Sequence, residues 1–239
     1  MTVINSFIHE SAGEVVPALG RSTSGFEYKY VHGTGSSSLS ASFSVMPLDT
    51  VYSGRVVVLI IGCYFDGNGT ISTVQYGSQS FTRAVGTSST SDKGSCEIWY
   101  GVVPTNPASN VVTVNANVDI EKLFVSREIL VGLTSSSPYD TEIDKEGSEF
   151  EVAISFYHPT NGISLLGCII WKDGITNVNA TWTNCTETAD SDASLFTGGE
   201  AEFASAYYTS AISSSPRTFT VEWSGILDPN VELTGASWR

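Results

Sequence analysis

The sequence predicts an all-β protein with two similar antiparallel β-sandwich halves, of jelly-roll or immunoglobulin-like type, behind an N-terminal arm. Three observations predict this fold class. Apolar and polar residues alternate with period two in segments that Gly, Pro, Asn and Ser interrupt repeatedly. Similar segments recur about 105 residues apart. Only 15% of the 239 residues are charged, so Ser, Thr, Asn and Gly must supply most of the polar surface.

Residues 1–35 are predicted to form the arm, which ends in the flexible sequence GTGSSS. An arm of this length in front of a sandwich often holds a neighbouring subunit. The same residues could instead add an edge strand to their own domain, and the sequence leaves both interpretations open.

The first sandwich half is predicted to span residues 36–137. Its hairpin, Val74–Val85, turns at Gly77-Ser78, where glycine supplies the positive φ that a two-residue turn requires. The segment Asp119–Leu133 has loose helical spacing, but the repeat places it opposite a clear strand, so we interpret Lys122–Gly132 as a strand. The predicted strands lie near residues 39–45, 55–65, 73–76, 81–85, 96–103, 110–115 and 122–132.

The second half is predicted to span residues 138–239, and its first strand is expected near Glu149. The polar segment Thr134–Gly147 is predicted to be a linker. Phe150, Val152, Ile154 and Phe156 alternate with polar or small residues, as in a strand with one buried face. The predicted strands lie near residues 149–156, 163–171, 178–183, 185–188, 201–208, 218–223 and 231–238.

An internal repeat relates the two halves. Gly62-Cys63 and Gly167-Cys168 each follow aliphatic residues and stand at the same place in their halves. Each half has the length and strand number of a small sandwich. The sequence does not determine whether the halves are separate sandwiches or share one core.

Composition limits the partners. Eleven Lys and Arg against 25 Asp and Glu give a net charge of −14, which opposes binding to nucleic acid. The start of the chain lacks a basic segment followed by an apolar one, and the longest apolar run, Val56–Phe65, is half the roughly 20 residues of a membrane span. We therefore expect a soluble protein made in the cytosol, with no membrane partner.

Few residues are candidates for chemistry. The four cysteines, Cys63, Cys96, Cys168 and Cys185, form no C-x-x-C pair, so we expect free thiols, no metal site and no cofactor. A nucleophilic Ser or Cys needs a nearby histidine. The histidines, His9, His32 and His158, lie in the arm or at a strand end and are expected to be solvated or structural. No catalytic motif is present.

Three further groups were weighed against simpler interpretations. Glu200 and Glu202 share one face of a strand and could act as a glycosidic acid and base, but a solvated strand face explains them better. Asp190, Asp192 and the loop 66–70 offer oxygen ligands but lack the spacing of a calcium loop. The tryptophans are expected in the core, with Trp182 as the possible exception; they are Trp99, Trp171, Trp182, Trp223 and Trp238.

Four motifs resemble a loosely defined group of β-sandwich proteins from bacteriophages and bacterial surfaces. They are the aliphatic strand 56–65, the hairpin 74–83, the aromatic strand 97–104 before prolines, and the turn from Gly132-Leu133 to Asp140. The second half ends in a similar pattern, Trp223-Ser224-Gly225 and Ala236-Ser237-Trp238. The resemblance covers about residues 50–239. It carries no catalytic residues.

This resemblance implies a non-enzymatic virion component, most like a phage capsid decoration (cement) or head-fibre protein. Such a protein would bind the major capsid protein or another virion protein, would form a homo-oligomer, and would be made in the host cytoplasm. The alternative from another class is a glycan-binding adhesin or tail-fibre module that stacks aromatic side chains on sugars.

Overall fold

The computed structural model describes residues 20–30, 38–44, 55–86, 93–104, 109–147, 150–171, 178–190, 201–210, 215–224 and 230–239. These residues contain seventeen strands in four antiparallel sheets. The strands are β1 (Gly20–Tyr30), β2 (Ser40–Ser44), β3 (Val56–Phe65), β4 (Ile71–Tyr76), β5 (Gln79–Ser80), β6 (Thr82–Val85), β7 (Gly94–Val102), β8 (Val111–Ala116), β9 (Ile120–Val131), β10 (Asp140–Gly147), β11 (Glu151–His158), β12 (Gly162–Trp171), β13 (Asn179–Thr183), β14 (Thr186–Asp190), β15 (Ala201–Ser210), β16 (Ser215–Ser224) and β17 (Asn230–Trp238).

Each half is a β-sandwich with the strand order of a jelly roll. The first half has an inner sheet, β1-β9-β3-β7-β6, and an outer sheet, β2-β8-β4-β5. The second half repeats this order, with the inner sheet β10-β17-β12-β15-β14 and the outer sheet β11-β16-β13. Most consecutive strands alternate between the two sheets of a half, as in jelly rolls. The predicted fold class and the internal repeat are therefore confirmed.

The predicted turn of the hairpin is confirmed, but only Gln79–Ser80 pair back with β4, so the predicted second strand of the hairpin is wrong for residues 82–85. Gly77 has φ 58° at the turn between β4 and β5. After β5 the chain passes through the buried Phe81 and changes sheet, because β5 pairs with β4 whereas β6 pairs with β7. The segment 122–132 was predicted as a strand, and its residues 122–131 lie within β9, which ends at Val131.

Two edge strands lie where the sequence left an arm or an edge strand open and where it predicted a linker. Residues 20–30 of the expected arm form β1, which pairs with β9, so this part of the arm is an edge strand of its own domain. Residues 140–147 of the expected linker form β10, which pairs with β17, so the linker prediction is wrong for these residues. Residues 1–19 and 31–35 of the arm lie outside the described residues.

The halves have separate cores and share a third. One core lies inside each sandwich, and the third fills the seam, by which we mean the contact between the two inner sheets. All residues of β3 and β12 are buried, because each strand has a core on both faces. This explains why these strands are continuous apolar runs instead of alternating patterns.

The seam brings the same face of the repeated sheet against its counterpart, in an approximately two-fold arrangement. β7 contacts β12 and β17, and the equivalent β15 contacts β3 and β9. Reciprocal contacts of this kind define a two-fold interface. A Cβ atom on Gly62 would lie 2.6 Å from Phe203, and one on Gly167 would lie 2.2 Å from Ile60. The glycines of the sequence repeat are thus points of close approach between the halves.

Candidate functional site

A small polar contact joins the two halves inside the seam. The amide of Cys96 in β7 donates to Glu232 Oε1 in β17 over 3.0 Å. Thr234 Oγ1 lies 3.5 Å from Cys96 Sγ and 3.3 Å from the carbonyl oxygen of Gly167. Burial raises the pKa of the Cys96 thiol well above its usual value. Cys96 is therefore a protonated, structural residue rather than a nucleophile.

A buried carboxyl group, that of Glu97, lies inside the first sandwich. Glu97 Oε2 accepts a hydrogen bond from Trp99 Nε1 at 2.8 Å, and Oε1 accepts one from Ser95 at 3.3 Å. Arg83 Nη1 lies 3.5 Å from the same Oε1. Burial raises the pKa of Glu97 to about 7, although Arg83, Trp99 and Ser95 favour the charged form. Glu97 therefore titrates close to neutral pH.

One histidine, His158, lies beside a serine in the described residues. His158 Nδ1 lies 2.9 Å from Ser164 Oγ, and the His158 ring packs edge-on against Tyr208. His158 and Ser164 are both buried. Within the described residues, no carboxylate hydrogen-bonds to the imidazole, so the orienting acid of a catalytic triad is missing there. The pair links β11 to β12 and is structural.

His158 gives a prediction for the pH dependence of stability. Burial, with a smaller contribution from Arg217, lowers the pKa of His158. The unfolded chain then binds a proton at higher pH than the folded chain, so this contribution to stability is present above about pH 6.5 and is lost as the pH falls. We expect the stability advantage of the wild type over His158→Gln to shrink between pH 7.5 and 5 in urea denaturation. If this stability advantage stays constant between pH 7.5 and 5, the claim that His158 is buried in its neutral form is wrong.

The outer sheets carry rows of small polar side chains. In the first half, the hydroxyl groups of Ser42 and Thr113 lie 2.8 Å apart on neighbouring strands. In the second half, Ser155 and Thr218 make the same contact at 2.7 Å. Both faces therefore carry uncharged hydroxyl groups, as the low charged fraction of the sequence predicts.

The second outer sheet differs by bearing exposed aromatic and acidic residues. Tyr157 is 49% exposed on β11, and Glu151 lies directly opposite Glu222. Close to this sheet, just before β10 of the inner sheet, Tyr139 is 44% exposed and packs under the guanidinium group of Arg239 at 5.1 Å. These side chains are accessible to a partner.

Hydrogen bonds fix the backbone around both exposed tyrosines. The amide of Tyr157 donates to Asp140 Oδ2 at 2.7 Å, and the amide of Tyr139 donates to the carbonyl oxygen of Ser237 at 2.7 Å. Ser237 Oγ in turn donates to the carbonyl oxygen of Tyr157 at 2.8 Å. The tyrosines therefore stand on a common, rigid corner where β10 meets β11.

The glutamate pair considered for glycosidic chemistry is only half described. Glu202 is fully buried and pairs with Ile170, whose side chain belongs to the core of the second sandwich. The expected solvated face is therefore wrong for Glu202. Glu200 lies outside the described residues.

The remaining candidate residues have structural positions or lie outside the described residues. Four tryptophans are buried and Trp182 is partly buried, which confirms core packing as their role. The four cysteines are free, as expected. The loop at Asp66 is held by a bond from its amide to Asp119 O, and the part of the chain that is described contains no group of potential metal ligands. Asp192, His9, His32 and the side chain of Asp190 lie outside the described residues.

The buried acids Glu97 and Glu232 were not predicted from the sequence. Each is the one charged residue of its strand, GSCEIWYGV or NVELTGASW, and that isolated charge is the available signal.

No protein-family model, curated protein or solved structure matches this chain. No helix in the described ranges has the length and apolar character needed to cross a membrane.

Proposed function

We propose that this chain is a non-enzymatic structural protein of a virion, of the capsid decoration or cement kind. Its partner would be the major capsid protein or another virion protein at the outer capsid surface. Two lines of support combine: the resemblance of residues 50–239 to phage β-sandwich proteins, and the jelly-roll order, which recurs in capsid and lectin domains. A fold alone does not determine function, so the proposal also depends on how the two halves are arranged.

The observation that carries the proposal is the seam. Because the inner sheets bury each other, the two halves form a four-layer block whose outer sheets face away from each other. The described groups considered for catalysis, His158 and Glu202, are buried, and so is the acid Glu97. A rigid block with preformed polar faces suits a protein that docks on a surface without large rearrangement.

The same block would attach through its faces and strand edges. A stable association needs about 1,200–2,000 Å² of buried surface. The net charge of −14 favours a position on the outside of a particle, away from packaged nucleic acid. We also propose that the chain forms a homo-oligomer and is assembled in the host cytoplasm.

Co-sedimentation with particles from the source of the chain tests this function. We expect the full chain to sediment with the particles and to protect them against heat or low salt. A variant lacking residues 1–19 tests the arm, and the deletion stops there because β1 begins at Gly20. Retention by the full chain and not by the variant would make the arm a docking element. A full chain that remains a free monomer beside the particles would overturn the proposal.

A glycan-binding module is the second candidate, because Tyr139 and Tyr157 are exposed on a rigid corner. Stacking of exposed aromatic rings on sugars would then carry the binding. Retention of the chain on an immobilised polysaccharide, lost in Tyr157→Ala and kept in the exposed control Val102→Ala, would favour it.

A further inference from the structure

We propose that Glu97 makes the β6 edge of the first sandwich a proton-sensitive flap, closed while the carboxyl group is protonated and opened when that group is charged. The flap consists of β6 and Gly86, which together cover the carboxyl group. This inference is independent of the virion proposal.

The carboxyl group is fully enclosed but lies close to an edge of the sheet. Glu97 has no exposed surface, and it pairs with Ile61 of β3, whose side chain is in the first core. Its hydrogen-bond donors come from its own strand, from Trp99 and Ser95. The ion pair comes from β6, through Arg83.

The cover over this group is short and irregular. β6 has four residues, lies at the end of the inner sheet, and shifts register between Arg83 and Val85. Gly86 follows with φ 151°, and a Cβ atom there would lie 2.5 Å from Glu97 Cγ. The side chain of Arg83 is 37% exposed, so it already connects the buried cluster to water. A short edge strand of this kind can open at low cost, unlike the central strands.

Proton binding favours the closed flap. In the closed state, burial raises the pKa of Glu97 from 4.5 to about 7, whereas hydration in an open state returns it toward 4.5. Opening therefore becomes more favourable as the pH rises, by up to tenfold per pH unit between about 4.5 and 7, and it levels off above 7. The attraction of Arg83 lowers the pKa of Glu97, but it does not cancel the rise that burial causes.

Other buried groups around Glu97 do not reverse the rise of opening with pH. The thiols of Cys63 in β3 and Cys96 in β7 are fully buried, and the charge on Glu97 adds to the rise in their pKa values, so both stay protonated. Arg127 in β9 also faces the interior and donates to the hydroxyl group of Tyr76 at 3.1 Å. With both thiols protonated, the charge of Glu97 is the one that changes near pH 7 among Cys63, Cys96 and Glu97.

The flap connects the first core to the seam. Ala84 and Val85 of β6 pack against the seam core, and β6 contacts β10 and β17 of the second half. Detachment of β6 would therefore loosen the packing between the halves. The proton on Glu97 would thus control how firmly the two jelly rolls are joined at this edge.

Hydrogen exchange of the β6 amides tests the flap in the full chain. After correction for intrinsic rates, wild-type protection at residues 82–85 should fall about tenfold per pH unit from pH 5 to 7, while β3 stays protected. Glu97→Gln should keep the flap protected at pH 8, and the exposed control Glu151→Gln should behave as the wild type. Equal pH dependence in the wild type and Glu97→Gln would overturn the proposal.

A second measurement covers the case in which Glu97→Gln does not fold. Because Trp99 Nε1 donates to Glu97, wild-type tryptophan emission should change with a midpoint near pH 7. Trp99→Phe should remove that change. A wild-type emission that is constant from pH 5 to 8 would also overturn the proposal.

Discussion

Replacement of Phe203 by alanine is expected to lower the free energy of unfolding by about 3–5 kcal/mol, the usual cost of deleting a buried aromatic ring. Phe203 is fully buried in the seam, stacks on Phe124 with ring centroids 5.8 Å apart, and lies against Gly62. It belongs to the second half, whereas Phe124 and Gly62 belong to the first. The loss should therefore weaken the contact between the halves and not only one sandwich.

Phe219→Ala is the matched control for this prediction. Phe219 is also fully buried, but it packs on Phe156 within the core of the second sandwich. Urea denaturation should show a similar loss for both variants, with a smaller denaturant slope for Phe203→Ala alone, because the halves then unfold less cooperatively. A loss below about 1 kcal/mol for Phe203→Ala would mean that the seam does not stabilise the fold.

Gly167→Val is expected to destabilise the protein by about 3 kcal/mol or more, at the upper end of the cost of overpacking. A Cβ atom at this position would lie 2.2 Å from Ile60 Cγ2 and 3.0 Å from Cys96 Sγ. Both neighbours belong to the other half, and Ile60 is β-branched, so its methyl group cannot swing away freely. The halves would have to separate locally.

The double variant Gly167→Val with Ile60→Ala tests the cause of that loss. Removing the Ile60 side chain makes room for the valine, so thermal denaturation should show a combined loss well below the sum of the single losses. Additive losses would place the strain elsewhere than at this contact.

Much of the fold could be predicted from the sequence because strands with one buried face carry a clear period-two pattern. β11 is the best example, with alternating burial along its whole length. The sequence left β1 open and missed β10, because both are polar edge strands, GRSTSGFEYKY and DTEIDKEG, at the same place in the two halves. An edge strand is held by backbone hydrogen bonds, which leave little trace in the pattern of side chains.

The candidate polar groups were less predictable. Glu202 shows the reason, since its position on a strand suggested a solvated face whereas the structure buries it against the second core. The contact between Cys96 and Glu232 joins residues 136 positions apart, so no local pattern could indicate it. Burial of a charged group in such a strand depends on which sheet packs over it, and this is decided by the tertiary structure.

Calorimetric unfolding of the full chain tests the central claim, that the seam joins two repeated jelly rolls into one block. We expect a single transition whose calorimetric and van't Hoff enthalpies agree, as for one cooperative unit. Two separated transitions, each with the enthalpy of about one half, would contradict the claim and leave the protein as two independent sandwiches on one chain.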